Sequence, residues 1–347
     1  MNKYQLFSPV ATFSNSDNQW WLCPKSGLPL DAKYEDSSML LPLSGKPTVT
    51  LGEGNTPLLK LENLSKSLGF DIWVKCEFLN PTGSFKDRGS VVEVSKAIEL
   101  GKNGIVCAST GNMAASLAAY AAKANLKCIV VVPEKTPESK LRQAIACGAK
   151  LKKISGTYDQ CVSIAKDIAE KQNLFLCGDY VLRREGQKSI GWELAKSDQK
   201  IDSIVVPVGN GTVGIATIKG IFEKSTDEQL PKFIGIQAEK VNTIQIAWIK
   251  NKKIVPLKNT QTIASAFNVG NPLDGYLVLD WLKKTSGLMI TVSDDEIKFA
   301  QKLLSKKEGL FVETTAASTL AGLIKNKSEF ENQSVVIVLT GSGLKEK

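Results

Sequence analysis

Residues 71–101 read DIWVKCEFLNPTGSFKDRGSVVEVSKAIELG. DIWVKCEF (71–78) has the β-branched and aromatic density of a buried strand. NPTG (80–83) is a turn cluster, Ser84 stands where an N-cap belongs, and a helix is predicted near 84–101. Lys86 falls in the first turn of that helix, between Phe85 and Asp87. The N-terminal end of a helix is already positive, so a cation is opposed there. A surface lysine would need no such placement.

The strand–turn–helix pattern recurs along the chain. Further strands are predicted at 104–109, 127–133, 149–154, 174–177, 201–208, 232–238, 288–292 and 334–340. Helices are predicted near 112–125, 137–147, 157–172, 186–197, 213–224, 242–250, 274–285, 293–307 and 314–327. Such alternation argues for an α/β fold with largely parallel sheets. At 347 residues the chain is long enough for two domains. The opening forty or so residues read as an irregular, packed N-terminal arm.

Composition excludes several classes of chemistry. There is no histidine, so zinc sites and Ser-His or Cys-His nucleophile systems lose their usual ligand or base. Seven cysteines form no CxxC pair and read as buried thiols, with no metal site. The net charge of +9 arises from scattered lysines with only four arginines, so a solvated surface explains it better than nucleic acid. No 18-residue apolar run or signal-like N-terminus stands out, and the expected location is cytoplasmic, away from membranes.

Open α/β sheets bind ligands beyond the carboxyl ends of their strands. Four such ends here are small, polar and glycine-containing: 78–86, 108–116, 206–214 and 339–345. Gly209-Asn210-Gly211-Thr212-Val213-Gly214 is a GxGxxG loop between a strand and a helix, a cup suited to a phosphate. With Glu239 at the end of the next strand, it also admits a nicotinamide dinucleotide. Ser109-Thr110-Gly111-Asn112 opens an alanine-rich helix whose N–H groups and hydroxyls suit a carboxylate. Lys86, beside Phe85 and a helix N-terminus, is placed to favour a neutral amine that condenses with an aldehyde. An aldehyde on Lys86, a phosphate in the 209–212 cup and a hydroxyl from Thr340 for a ring nitrogen together match pyridoxal phosphate.

NPTGSFKDRG, STGN before an alanine-rich helix, GNGT, EGQK, ETTAASTLAG and TGSGLK resemble the threonine-synthase branch of the fold-type-II pyridoxal-phosphate enzymes, over about residues 50–345. That resemblance implies two domains, each a mostly parallel twisted sheet flanked by helices. They would comprise an arm (1–45), a discontinuous cofactor domain (46–87 with 177–347) and a small mobile domain (88–176). It implies that Lys86 is the catalytic Schiff-base lysine. Asn112 would bind the cofactor's ring hydroxyl, Gly209, Asn210, Gly211 and Thr212 its phosphate, and Thr340 its ring nitrogen. Ser84, Ser109, Thr110 and Gly111 would bind the substrate, with Arg183 and Lys188 for its anionic group.

The substrate so implied is O-phosphohomoserine, converted with water to threonine and phosphate by a homodimer. A neutral partner for the ring nitrogen would bias the site toward elimination and replacement over transamination. Met113, Cys177, Gly178, Tyr180 and Val213 depart from the family's pattern. They admit a paralogue acting on another β- or γ-substituted amino acid, such as phosphoserine in a cysteate-synthase-like replacement. A nicotinamide oxidoreductase and a catalytically silent homologue are the alternatives from other classes.

Overall fold

In the computed structural model, which describes residues 4–14, 21–35, 41–225, 229–258 and 260–346, the first predicted strand runs Asp71–Lys75 and its helix Lys86–Glu99. A single 3-10 turn, Glu77–Leu79, and the bend at Asn80–Gly83 reverse the chain between them. Gly83 takes φ +81°, a conformation that side-chain-bearing residues resist. Ser84 is not the N-cap. Phe85 holds that position without a side-chain bond, and the buried Ser84 Oγ has no partner among the described residues. Asp87 displaces it: from the first turn its carboxylate accepts Thr82 N at 2.7 Å and Thr82 Oγ1 at 2.6 Å. A carboxylate there also complements the helix dipole.

The chain divides into two compact units. The first comprises Met1–Glu53 and Asn80–Gln187. Its parallel sheet has the order Lys150–Ile154, Lys127–Pro133, Gly104–Ala108, Phe175–Cys177. Around it lie the helices Lys86–Glu99, Asn112–Lys123, Glu138–Ala146, Tyr158–Lys171 and Val181–Gln187. The helix Asn112–Lys123 buries Ala114, Ala115, Ala118 and Ala121, so its small face brings the backbone close to its neighbours. Tyr158–Lys171 starts in a reciprocal capping box between Thr157 and Gln160.

Among its described residues the N-terminal arm, expected to be irregular, carries three short strands. Tyr4–Ser8 pairs antiparallel with both Ala11–Ser14 and Asp31–Tyr34, and Tyr4 and Leu6 point into the first unit's core. Its strands hold four or five residues, too few for a period-two pattern to rise above the surrounding polar sequence.

The second unit comprises Gly54–Leu79 and Lys188–Glu346. Its six-stranded sheet has the order Leu288–Val292, Lys232–Ala238, Ser203–Pro207, Ser334–Val338, Asp71–Lys75, Leu58–Lys60. Only the last, Leu58–Lys60, is antiparallel to its neighbour. The C-terminal strand Ser334–Val338 is thus interior, parallel to Ser203–Pro207 on one side and Asp71–Lys75 on the other. Every residue of Ser203–Pro207 and Ser334–Val338 is buried, the mark of parallel strands covered on both faces. The helix predicted over 186–197 is in fact two, Val181–Gln187 and Ser189–Ala195. All seven cysteines are free, and six are buried. Among the described residues no helix is long and apolar enough to cross a membrane.

Candidate active site

In the first unit, two glycines set the crossing of Lys86–Glu99 with Val181–Gln187. A Cβ at Gly89 would stand 2.5 Å from Arg183 Cγ, and one at Gly186 would collide with Arg88 O. The close approach places Arg183, wholly buried, against the start of the lysine's helix. Its Nε donates to Gly178 O at 3.2 Å, and its terminal nitrogens donate to Lys86 O (3.1 Å), Ser90 Oγ (3.3 Å) and Glu93 Oε2. Glu93 in turn accepts Gly178 N at 2.8 Å. Burial pushes the Glu93 carboxyl up to about 7, against the pull of the Arg183 guanidinium. The sequence reading expects Arg183 to meet an anionic group of the substrate; in the structure its partners are internal. The guanidinium braces the loop at 178 against the helix and is turned into the unit's interior.

Next to that brace, Asp179 faces the Lys86 amine. Lys86 Nζ donates to Asp179 Oδ1 at 2.7 Å, with the Phe85 ring centroid 4.9 Å from the nitrogen. Lys86 therefore has a carboxylate counter-charge where the sequence showed only the opposing helix end. Asp179 escaped the sequence reading, because one aspartate after a three-residue strand carries no periodic or motif signal.

Ser109-Thr110-Gly111 follows the strand Gly104–Ala108, which pairs in parallel with Phe175–Cys177. The loops carrying Ser109 and Asp179 thus leave the same edge of neighbouring strands. Gly111 caps the helix Asn112–Lys123 without a side-chain bond, and the first backbone bond into it runs from Ala115 N to Gly111 O. The start of this helix is of the kind at which an anion is favoured. Met113 is buried.

In the second unit, Gly209-Asn210-Gly211 joins Ser203–Pro207 to the helix Thr212–Lys224. Gly211 takes φ +104°, and a Cβ there would stand 2.7 Å from Val278 Cγ2; one at Gly209 would collide with Ala266 O. A Cβ at Gly214 would meet the Phe233 ring at 2.8 Å, so the third glycine lets the helix lie on the sheet. Asn210 Oδ1 accepts Leu273 N at 2.6 Å, pinning the cup to the segment behind it. The helix has no side-chain cap, and its first backbone bond runs from Ile215 N to Gly211 O. Thr212 is buried, and Val213 beside it as well.

Thr340 follows the adjacent strand Ser334–Val338, and its buried hydroxyl donates to Glu313 Oε1 at 2.8 Å. Glu313, unanticipated from sequence, stands one hydrogen bond behind the residue assigned to a ring nitrogen. Lys188, expected from sequence to meet the substrate's anionic group, is likewise paired internally. Its fully buried ammonium contacts Glu223 Oε1 at 2.7 Å and lies 5.4 Å from the Trp192 ring centroid. Glu239, the acid a nicotinamide site would need, is instead paired with Lys325 at 2.8 Å.

The model of the pyridoxal-phosphate dependent enzyme family matches residues 49–341. This chain belongs to that family. Among curated relatives, the threonine synthase of Methanocaldococcus jannaschii is 43% identical over 310 residues, covering 86% of this chain and 76% of that protein. The threonine synthase of Halalkalibacterium halodurans is 42% identical over 308 residues, covering 86% and 85%. Among solved structures, the serine racemase of Dictyostelium discoideum superposes with a TM-score of 0.71 at 27% identity, over 83% of this chain and 92% of that one. Threonine deaminase isoform 2 of Solanum lycopersicum superposes with a TM-score of 0.74 at 25% identity, over 83% and 79%.

The family's cofactor is pyridoxal phosphate, and each unit, taken by itself, carries groups of the kind that cofactor needs. In the first unit these are the Lys86 amine and, two residues before it, the buried Ser84 hydroxyl. In the second they are an uncapped helix start suited to an anion and a buried hydroxyl at Thr340. The fold is that of the fold-type-II members, and the nicotinamide alternative is set aside.

Proposed function

We propose that this chain is a threonine synthase or a close paralogue, converting O-phosphohomoserine and water to threonine and phosphate. The observation that carries the reading is 43% identity, over 86% of the chain, with a protein that bears that name. In this reading the enzyme is a cytoplasmic homodimer acting on an anionic amino acid.

Lys86 Nζ would hold the cofactor aldehyde, Asn112 its ring hydroxyl and Thr340 its ring nitrogen. The backbone of Gly209, Asn210, Gly211 and Thr212 would hold the phosphate at the helix start. When bound, the cofactor withdraws electrons from the substrate's α-carbon and makes its proton labile. Ser84, Ser109, Thr110 and the N–H groups following Gly111 orient the α-carboxylate. Lys86 Nζ then takes the α-proton and returns protons along the side chain, so that phosphate departs and water adds at the β-carbon. Arg183 acts on the reaction through the position of Lys86 and the 178–180 loop.

A second reading, a paralogue with another substrate, is favoured by one observation. Arg183 and Lys188, the cations expected to meet the substrate's phosphate, are both buried in internal ion pairs. Purified enzyme given O-phosphohomoserine should release phosphate and threonine in equal amounts. No threonine from that substrate, together with turnover of O-phosphoserine and sulfite, would establish the paralogue instead. Cofactor that borohydride fixes equally to wild type and Lys86→Ala would remove both readings.

A further inference from the structure

We propose that the hydrogen bond between Ser90 and Ser116 sets the register of the active site, and that the two serines are positioning residues for Lys86 and Asn112. The inference rests on the reading in which Lys86 holds the cofactor's aldehyde and Asn112 its ring hydroxyl. Ser116 Oγ donates to Ser90 Oγ at 2.7 Å, and both serines are wholly buried in the first unit. Lys86 is the first residue of the helix Lys86–Glu99, and Asn112 is the first of Asn112–Lys123. Ser90 stands four residues after Lys86, and Ser116 four residues after Asn112. The bond thus joins the same position, about one turn in, of two helices that each begin at a site residue.

The shape of the cofactor makes that register matter. The aldehyde and the hydroxyl of pyridoxal phosphate are carried by neighbouring ring atoms. The groups that hold them must therefore keep a fixed spacing, although they belong to different helices. Apolar packing grips this helix pair poorly along its axis. Asn112–Lys123 buries Ala114, Ala115, Ala118 and Ala121, and side chains so short raise only shallow ridges against sliding. A buried polar bond is directional, and its best-attested use is to select one register among several of similar packing. Hydroxyls left unbonded in that interior are costly, so slipped registers are disfavoured.

Ser90 is also tied to the lysine itself. Arg183 donates from Nη2 to Ser90 Oγ at 3.3 Å and from Nη1 to Lys86 O at 3.1 Å. The nitrogen that serves Ser90 also donates to Glu93 Oε2, which fixes the guanidinium in place. A chain of bonds therefore runs from Ser116 through Ser90 and Arg183 to the backbone of the reacting lysine. Another bond on the helix of Asn112 supplies the contrast. Tyr120 Oη donates to Glu53 Oε2 at 2.5 Å, about two turns beyond Asn112. It ties the helix to residue 53 and leaves the lysine's helix untouched.

The test compares wild type with Ser116→Ala, Ser90→Ala, the double variant and Tyr120→Phe. Cofactor-free protein is titrated with pyridoxal phosphate by fluorescence, and the loaded protein is scanned by absorbance. Ser116→Ala should bind pyridoxal phosphate about tenfold more weakly, the order of one lost hydrogen bond. Its absorbance band should move from the wild-type position, since the contact to the ring hydroxyl tunes the cofactor's electronics. The double variant should bind no more weakly than Ser90→Ala alone, because both changes remove the same bond. Tyr120→Phe loses a comparable bond and should lower the melting temperature to a similar degree, with cofactor affinity and band unchanged. Should Ser116→Ala fail to fold, Ser116→Cys, close to serine in volume and only a weak donor, takes its place with the same expected outcomes. Wild-type affinity and an unmoved band in a folded Ser116 variant, or an equal change in Tyr120→Phe, would overturn the proposal and leave the bond as packing alone. The underlying reading fails separately, through borohydride fixing cofactor to Lys86→Ala as much as to wild type.

Discussion

Single residues here have sharply different jobs from their neighbours. Thr340 offers a hydroxyl whose proton is already directed to Glu313. Glu313→Ala frees that hydroxyl to turn, and cofactor affinity is expected to fall about tenfold, about 1.4 kcal/mol. Fluorescence titration of cofactor-free protein with pyridoxal phosphate reads this directly, and an unchanged Kd would remove Glu313 from the site. Gly211→Ala combines a left-handed backbone with a side-chain collision against Val278. A cost of roughly 1–3 kcal/mol is expected, seen as a lower urea midpoint and weaker binding of pyridoxal phosphate. Lys86 and Gly211 were legible in sequence because a cation at a helix start and a glycine at a strand–helix turn each break a local rule. Asp179 and Glu313 break none. Their meaning comes from partners far along the chain, which no local pattern reports.

Helices and strands read well where they are long and less well where contacts define them. The alternation of buried strands and amphipathic helices was visible, since period and burial are written locally. The break at Lys188 was not, since no glycine, proline or cap residue at that position announces it. Ser84 was misread because Asp87, reaching back to Thr82, replaces the cap. The brace between Lys86–Glu99 and the 178–180 loop makes stability depend on pH. The Glu93 carboxyl sits at about 7, above its ordinary 4.5, because burial disfavours its charge. The folded protein therefore holds that proton more tightly than the unfolded chain does. The stabilisation is full below about pH 4.5 and is lost as pH rises through about 7. Urea unfolding should show wild type losing stability relative to Glu93→Gln across that window. Parallel curves for the two proteins would show that Glu93 is already charged throughout it.

At the scale of the whole chain, composition was informative about exclusions and silent about partners. Seven cysteines spread along the sequence had suggested buried thiols, and six of them are buried, with Cys147 half-buried. Native protein treated with a thiol reagent should therefore show no more than one rapidly reacting group, and all seven in denaturant. Several fast groups in the native state would mean that the cores open readily. The antiparallel sheet near the N-terminus was invisible because it draws order from the core it covers. Sheet order has its own consequence during synthesis. The strand near residue 71 leaves the ribosome well before one of its two neighbours in the sheet, Ser334–Val338. Until that strand emerges, the nascent chain carries a bare hydrogen-bonding edge open to capture by other chains. Messages truncated just before Ser334 should accordingly yield aggregates rather than a shortened enzyme.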